Sequence, residues 1–429
     1  MEFFVVVAAL FGCFLIGVPI SYSLGLAAIA GALWIGIPLE AVMLKISDGV
    51  SKVAMLTIPF FVLAGAIMAE GGMARRLVAF ANVLIGFFRV RGGLSVVNVV
   101  ATTFLSGISG SSVADTSAIG SVMIPQMEKN GYPRVFATNV TITASVQALL
   151  VPPSHNAVIY SLATGGSISI ISLFMAGVLP GLLLGFAIIL LCLYLAYRDG
   201  HPRGEAVPLR AALKITFDAL WGLITLGIIL GGILSGVFTA IEAGAVACIW
   251  SFFVTMFIYR DYRWRDLPAL VHRTLKTVAM VMMLIACAAS VGYVMALMQI
   301  PARVTAYFLT VSSDKNMILL MINVLLLVLG CLLDMAPSIL ICTPILLPVV
   351  TSFGVDPVHF GMIMMLNLGI GLCHPPVGAI LFVGCAVGKV SMEQVMRTIW
   401  PFYGALLVTL GLVTYVPAIS LWLPRHLGL

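Results

Sequence analysis

Long apolar stretches recur along almost the whole chain and restrict what it can fold into. Of its 429 residues, 62% are hydrophobic and only 9% are charged, whereas about 25% of residues are charged in soluble proteins. No soluble core could bury this much apolar surface. The surroundings must therefore be a lipid bilayer, and the spans must be helices, because the alternating pattern of a transmembrane barrel is missing. We predict an all-α polytopic membrane protein.

The two halves of the sequence carry glycine and proline in the same order. A shift of 223 positions pairs Gly131 with Gly354 and Pro152-Pro153 with Pro375-Pro376. Glycine and proline residues that match in order over this length predict an internal repeat. Each half has apolar stretches for five crossings and one re-entrant hairpin. An odd number of crossings inverts the second half, so we expect two inverted-topology repeats with about ten transmembrane helices and two hairpins.

These stretches define the predicted segments of each half. The first repeat, 1–197, contains scaffold helices 1–73, an arm 74–91, a hairpin 92–127, a broken helix 131–165 and a span 171–197. A cytoplasmic linker follows at 198–214. The second repeat, 215–429, contains scaffold helices 215–299, an arm 302–312, a hairpin 316–349, a broken helix 355–388 and a span 394–423.

The distribution of lysine and arginine predicts the orientation. With linker 198–214 in the cytoplasm, 17 of the 22 basic residues lie on the cytoplasmic side. Five remain outside: Lys45, Lys52, Arg303, Lys315 and Arg425. The positive-inside rule favours this arrangement, which places both termini outside. The net charge of +6 thus reflects membrane topology rather than binding to nucleic acid.

The first hairpin contains a polar cluster between residues 106 and 116. Four serines, Thr116 and Asp115 interrupt an otherwise apolar stretch, and such oxygen ligands suit Na⁺. Gly107 and Gly110 fit close helix packing equally well. An ionisable residue at membrane depth, however, indicates function by default.

A second polar interruption begins at Pro152-Pro153 and continues with Ser154, His155 and Asn156. Proline has no N–H and the preceding residue is pushed out of the helix, so carbonyls before this break should be free. His155 is either a proton relay or a neutral hydrogen-bonding side chain.

The second half has a matching pair of breaks. Asp334 aligns with Ser111 in the repeat, and it either supplies a ligand oxygen or caps the second hairpin helix. His374 precedes Pro375-Pro376, and the absence of further suitably spaced Cys or His argues against a transition metal.

Thr239 and Glu242 fit a capping box, a structural role that we favour over a role in transport. No Walker A loop or zinc-protease motif is present, so an enzyme is not expected.

The chain resembles the large membrane subunit (M subunit, DctM type) of tripartite ATP-independent periplasmic (TRAP) transporters. The resemblance covers essentially the whole sequence and rests on an ordered set of motifs. These are Gly17-Val18-Pro19-Ile20, 58–65, 109–115, Pro152-Pro153-Ser154, 173–177 with Pro180-Gly181, and Pro375-Pro376-Val377-Gly378.

The resemblance implies a Na⁺-driven importer of the bacterial inner membrane with an elevator-type fold. It also implies two partners, a small membrane subunit (Q) and a periplasmic substrate-binding protein (P). The implied substrates are organic acids such as C4-dicarboxylates and sialic acids. A stand-alone organic anion symporter or Na⁺/H⁺ exchanger of related fold is the alternative.

Combining the breaks with this resemblance, we predict two Na⁺ sites and a solute site between them. Na⁺ site 1 comprises Ser109, Gly110, Ser111, Ser112 and Pro152. Na⁺ site 2 comprises Gly330, Asp334, Gly371, His374 and Pro375. The solute site comprises Ser111, Asp115, Ser154, Asn156 and Ser338.

Overall fold

Helices and the loops between them make up the parts of the chain that the structure describes. The structure is a computed structural model describing residues 2–204, 207–375 and 378–429. Within those ranges, β-structure is limited to one isolated bridge between Arg91 and Arg203. The all-α prediction is therefore confirmed.

Among its described residues, the first half contains ten α-helices. They are α1 (Glu2–Leu15), α2 (Ile20–Trp34), α3 (Leu39–Ser51), α4 (Thr57–Glu70), α5 (Met73–Gly86), α6 (Gly93–Ser109), α7 (Ser112–Lys129), α8 (Arg134–Ala144), α9 (His155–Ala163) and α10 (Ile170–Arg198). Short 3₁₀ helices precede α4 at Val53–Leu56 and follow α8 at Ser145–Leu149.

Within its described residues, the second half contains eleven α-helices. They are α11 (Leu209–Leu234), α12 (Ala240–Phe253), α13 (Leu267–Leu297), α14 (Ile300–Val311), α15 (Lys315–Leu332), α16 (Met335–Ser352), α17 (Pro357–Gly371), α18 (Ala379–Gly388), α19 (Met392–Thr398), α20 (Trp400–Tyr415) and α21 (Ala418–His426). A π-helical segment, Val254–Tyr259, extends α12.

The helix boundaries follow from local backbone chemistry. Gly17 ends the first apolar stretch in a left-handed conformation that glycine adopts without strain, and Pro19 precedes the next helix. At the start of α12, Thr239 Oγ1 accepts from the Glu242 N–H at 3.3 Å, while Glu242 Oε2 accepts from the Thr239 N–H at 2.8 Å. The predicted capping box is therefore confirmed.

Candidate membrane spans can be identified by helix length and composition. Among the described residues, seven helices are long and apolar enough to cross, or nine if each of two bent pairs is one span. The predicted final span 394–423 covers α20 and α21, which are separated by Val416 and Pro417 and differ in direction by 56°. Pro417 explains the break because it supplies no N–H to the preceding turn.

Two groups of helices pack in distinct ways. Helices α2 and α3 pack on α13, and α4 packs on α12, which joins the early helices of the two halves. Elsewhere α7 packs on α18 and α16 packs on α9. Each hairpin therefore lies against a broken helix from the other half as well as its own.

Candidate functional site

The first hairpin turns at residues 109–112, which we call the first tip. Helix α6 ends at Ser109, and Gly110 takes a left-handed backbone conformation with φ of 60°. Ser111 then caps α7, its hydroxyl accepting from the Ala114 N–H at 3.4 Å. A glycine that reverses the chain and a serine that caps the next helix therefore make this a tight helical hairpin.

Asp115 links the two helices of this hairpin through hydrogen bonds. Its side chain is fully buried, with 0% exposure. One carboxylate oxygen accepts from Ser106 Oγ at 2.6 Å, and the other accepts from Ser109 Oγ. A buried carboxylate needs such donors, because an unpaired charge in this setting is costly. The predicted contact of Asp115 with solute stays a prediction.

The first broken helix opens at residues 150–154, which we call the first break. After the 3₁₀ turn come Pro152 and Pro153, joined by a cis peptide bond, and Ser154 precedes α9. Ser154 Oγ donates to the Leu149 carbonyl at 2.9 Å. Within the described residues, no hydrogen-bond donor reaches the four consecutive carbonyls from 150 to 153. The free carbonyls expected here are therefore confirmed.

The first tip lies directly against the first break. A Cβ atom added to Gly110 would lie 2.7 Å from the Pro153 carbonyl oxygen, so only glycine fits. The backbone nitrogen of His155 would lie 3.4 Å from the same Cβ atom. Both roles considered for the His155 side chain stay predictions. The residues predicted for Na⁺ site 1 are thus brought together.

The second hairpin turns at residues 330–334, which we call the second tip. Asp334 is the N-cap of α16, and its Oδ1 accepts from the Met335 N–H at 2.9 Å. Ser338 is fully buried and donates from Oγ to the Asp334 carbonyl at 2.9 Å. Asp334 itself is exposed. Its capping role is visible, and its role as an ion ligand stays a prediction.

The second tip meets the second broken helix through two glycines. A Cβ atom on Gly371 would lie 2.6 Å from the Gly330 Cα atom, so the backbones touch. Residues 371–378 form the second break, of which Pro376 and Val377 lie outside the described residues. The predicted pairing of Gly330 with Gly371 is therefore present, while the second Pro-Pro pair is described only at Pro375.

The carbonyls of the second break already have hydrogen-bond donors. From residue 371 to 374 each accepts a bond, including one from the Tyr403 hydroxyl to the Cys373 carbonyl at 2.5 Å. The Pro375 carbonyl pairs with His374 Nδ1 at 2.6 Å. The His374 ring also packs on Tyr403, with ring centroids 5.5 Å apart. The His374 side chain is therefore hydrogen-bonded to the backbone of its own loop in this structure.

The predicted solute residues do not share one open surface. Asp115, Ser154, Asn156 and Ser338 are buried, and Ser111 is partly exposed at the first tip. Two contacts that support the site are not predictable from any local pattern. Gly65 on α4 lies against the Ser109 backbone, and Tyr403 on α20 reaches the second break from 30 residues away.

A family comparison decides what kind of protein carries this arrangement. The sequence model of the tripartite ATP-independent periplasmic transporter DctM component matches residues 7–419. The chain belongs to the DctM family. The resemblance seen in the motifs is therefore confirmed, and the DctM proteins below are transporter permeases rather than enzymes.

Several DctM-family relatives match along nearly the whole chain. The C4-dicarboxylate TRAP transporter large permease protein DctM of Pseudomonas aeruginosa is 40% identical, covering 91% of this chain and 90% of its own. The protein of the same name from Rhodobacter capsulatus is 36% identical over 100% of both. An isethionate TRAP transporter permease protein, DctMQ, from Oleidesulfovibrio alaskensis is 36% identical, covering 96% of this chain and 65% of its own.

A solved structure gives an independent view of this DctM-family fold. The YdaH transporter of Alcanivorax borkumensis superimposes with a TM-score of 0.59 at 14% sequence identity. The match covers 88% of each chain. The polytopic helical fold is therefore similar to that of a known transporter.

Proposed function

We propose that this DctM-family chain is the Na⁺-driven permease subunit of an importer for an organic anion. The observation that carries the proposal is the meeting of the first tip with the first break. Four carbonyls of the break have no donor among the described residues, and the Pro152 and Pro153 carbonyl oxygens lie against Gly107 and Gly110 of the first hairpin. Unwound carbonyls at helix breaks coordinate Na⁺ in secondary transporters. Na⁺ would therefore bind with little rearrangement here.

The solute is proposed to be a small organic acid. The named relatives transport C4-dicarboxylates and isethionate, and both kinds of solute are anions. Helices α7, α9 and α16 all begin at the tips and the first break. The N-terminus of a helix carries partial positive charge, and bound Na⁺ would add to it. Both effects favour an anion between the two sites.

An elevator movement accounts for the packing. The hairpins and broken helices contact one another across the halves, and helices α2–α4 pack with α12 and α13. We propose that the first group moves as a transport domain against the second as a scaffold. The inverted-topology repeats would make the inward and outward states related by symmetry.

The proposed assembly has two further components in the bacterial inner membrane. The family is tripartite by name, and the DctMQ relative has about a third of its length outside the match. We propose a small membrane subunit (Q) and a periplasmic binding protein (P) as partners. The distribution of basic residues supports periplasmic termini.

A stand-alone ion-coupled symporter or exchanger is the second candidate. The fold similarity to the YdaH transporter, which extends over 88% of each chain, is compatible with it. Such a protein would transport solute without a binding protein, so one experiment separates the two candidates.

The test is uptake of labelled succinate or isethionate into proteoliposomes that contain the chain and its small partner subunit. An inward Na⁺ gradient and the partner binding protein should both be required. Uptake that needs the gradient alone would favour the stand-alone symporter. Uptake that requires neither the Na⁺ gradient nor the binding protein would contradict the proposal. Failure to take up both succinate and isethionate would contradict it as well.

A further inference from the structure

A second polar cavity lies away from both tips, with a volume of about 500 Å³. Its wall is formed by α3, the end of α9, α13 and α16. In the proposed orientation, α3 and the loop after α9 lie on the periplasmic face. The cavity therefore opens outward, between the proposed scaffold and the proposed transport domain.

The cavity extends from this face into the membrane. On α13 its lining runs from Gly292 to Ile285, seven residues, which corresponds to about 10 Å along a helix. On α16 it reaches Leu340, six residues or about 9 Å from the second tip at Asp334. The cavity therefore leads from the surface toward the proposed solute region.

Two lysines at its mouth differ in their charge partners. Lys45 Nζ lies 2.9 Å from Asp48 Oδ2 and is neutralised by this ion pair. Lys52 Nζ donates to the Gly165 carbonyl at 3.2 Å. Among the described residues, no carboxylate lies within ion-pair distance of Lys52. The mouth therefore carries one uncompensated positive charge.

Small residues leave room beside this charge. Gly49, Ser51, Ala163, Gly165 and Gly292 line the cavity, and a Cβ atom on Gly292 would meet no atom within 4 Å. An ammonium group has three N–H donors, and a neutral carbonyl is a weaker partner for it than a carboxylate or sulfonate. An anion entering the cavity would therefore displace the Gly165 carbonyl.

We propose that this cavity is an outer capture site for the anionic end of the solute, with Lys52 as its binding residue. The proposal rests on the proposed function, since it assumes an organic anion arriving from the periplasm. The carboxylate or sulfonate exchanges with the Gly165 carbonyl. This exchange also releases the hydrogen bond that links the proposed scaffold to the loop after α9.

The chain offers a matched control for Lys52. Lys315 Nζ donates to the Gly354 carbonyl at 3.3 Å, and both acceptor glycines have a positive φ, 79° at Gly165 and 71° at Gly354. Lys315 does not line the cavity. A specific effect of anions on Lys52 should therefore be absent at Lys315.

The first experiment measures lysine acylation in the purified protein. Sulfo-NHS-acetate is added with and without succinate or isethionate, and labelling of each lysine is followed by mass spectrometry. Either anion should slow labelling of Lys52 at least threefold and leave Lys315 unchanged. Equal labelling of Lys52 with and without both anions would overturn the proposal.

The second experiment measures uptake kinetics in the reconstituted assembly. Lys52→Gln should raise KM about tenfold or more, Lys52→Arg should stay near wild type, and Lys315→Gln should have no effect. A change in the maximal rate alone would mean that Lys52 acts only through its hydrogen bond to Gly165, and it would overturn the capture role. No change in KM would overturn it as well.

The third experiment narrows the cavity. Gly292→Val should reduce uptake, while Gly231→Val on α11, where an added Cβ also meets no atom within 4 Å, should not. Equal uptake by both variants would contradict the proposal. Wild-type protein without Na⁺-driven uptake would instead reject the proposed function. The labelling experiment would still decide whether the cavity binds anions.

Discussion

The two places where a hairpin tip meets a broken helix differ in how their backbone carbonyls are satisfied. At the first break, four consecutive carbonyls have no donor among the described residues. At the second, every carbonyl from residue 371 to 375 has one. The first tip is also rich in hydroxyl groups, whereas the second has a glycine contact and one capping carboxylate.

This difference indicates that two related breaks need not bind a cation equally well. The first offers unpaired oxygens in a preformed arrangement, which lowers the cost of reorganisation on binding. At the second, a cation must use the second lone pairs of occupied carbonyls, displace their donors, or rely on the last carbonyls of α15. We therefore expect the first site to bind Na⁺ more tightly.

The largest expected effect comes from separating the second tip from its break. Gly371→Val places a side chain where the Gly330 backbone already lies 2.6 Å from the added Cβ. Na⁺-driven uptake should be abolished, because the Gly330 and Gly371 backbones can no longer approach each other. The control is Gly411→Val on α20, where an added Cβ meets nothing within 4 Å. Normal uptake by Gly371→Val would show that this contact is dispensable.

Asp115→Asn should have the next largest effect, at the first tip. An amide presents one acceptor oxygen and one NH₂ donor to Ser106 and Ser109, so one serine must accept instead of donate and neither hydrogen bond is to a charged group. Hydrogen bonds to charged groups contribute about 1.5–3 kcal/mol, so uptake should fall about tenfold or more. Initial uptake rates at saturating Na⁺ measure this, and an unchanged rate would remove Asp115 from the working hairpin.

Tyr403→Phe tests whether hydrogen bonds at the second break prevent its carbonyl groups from binding the cation. The change removes the donor to the Cys373 carbonyl. A buried acceptor without a partner costs about 1–3 kcal/mol, so the unfolding temperature in Na⁺-free buffer should fall by a few degrees. Added NaCl should restore more stability to this variant than to wild type. An equal response to NaCl would argue against cation binding by that carbonyl.

Asp334 variants should have the smallest effect and separate its two roles. Asparagine and aspartate are comparable N-caps, so Asp334→Asn should keep wild-type stability, while Asp334→Ala should lose about 1 kcal/mol. Thermal unfolding in detergent measures both. If Asp334→Asn weakens the Na⁺ dependence of uptake while stability is retained, the carboxylate is an ion ligand in addition to a cap.

Much of the first site could be predicted from the sequence because its signals are local. Gly110 reverses the chain, Ser111 caps the next helix, and Pro152-Pro153 removes N–H donors from residues a few positions away. The same local chemistry made the capping box at Thr239 and Glu242 predictable. The repeat and positive-inside patterns are global, and the predictions drawn from them remain to be tested.

The missed features depend on residues far apart in sequence. Tyr403 occupies a carbonyl of the second break, and Gly65 packs against the first tip, through contacts that no local pattern encodes. Helices α3 and α19 are short or polar beside the membrane spans, so hydropathy did not separate them. The bend before α21 was overlooked because the flanking residues are apolar, although Pro417 was a usable signal.

The most direct test of two unequal cation sites is to count bound Na⁺. Equilibrium binding of ²²Na⁺ to the purified protein should give two ions per chain with two affinities. Ser109→Ala should remove the tighter site, and Gly371→Val should remove the weaker one. Absence of saturable binding, or loss of the same site in both variants, would contradict the assignment of one Na⁺ to each pair of tip and break.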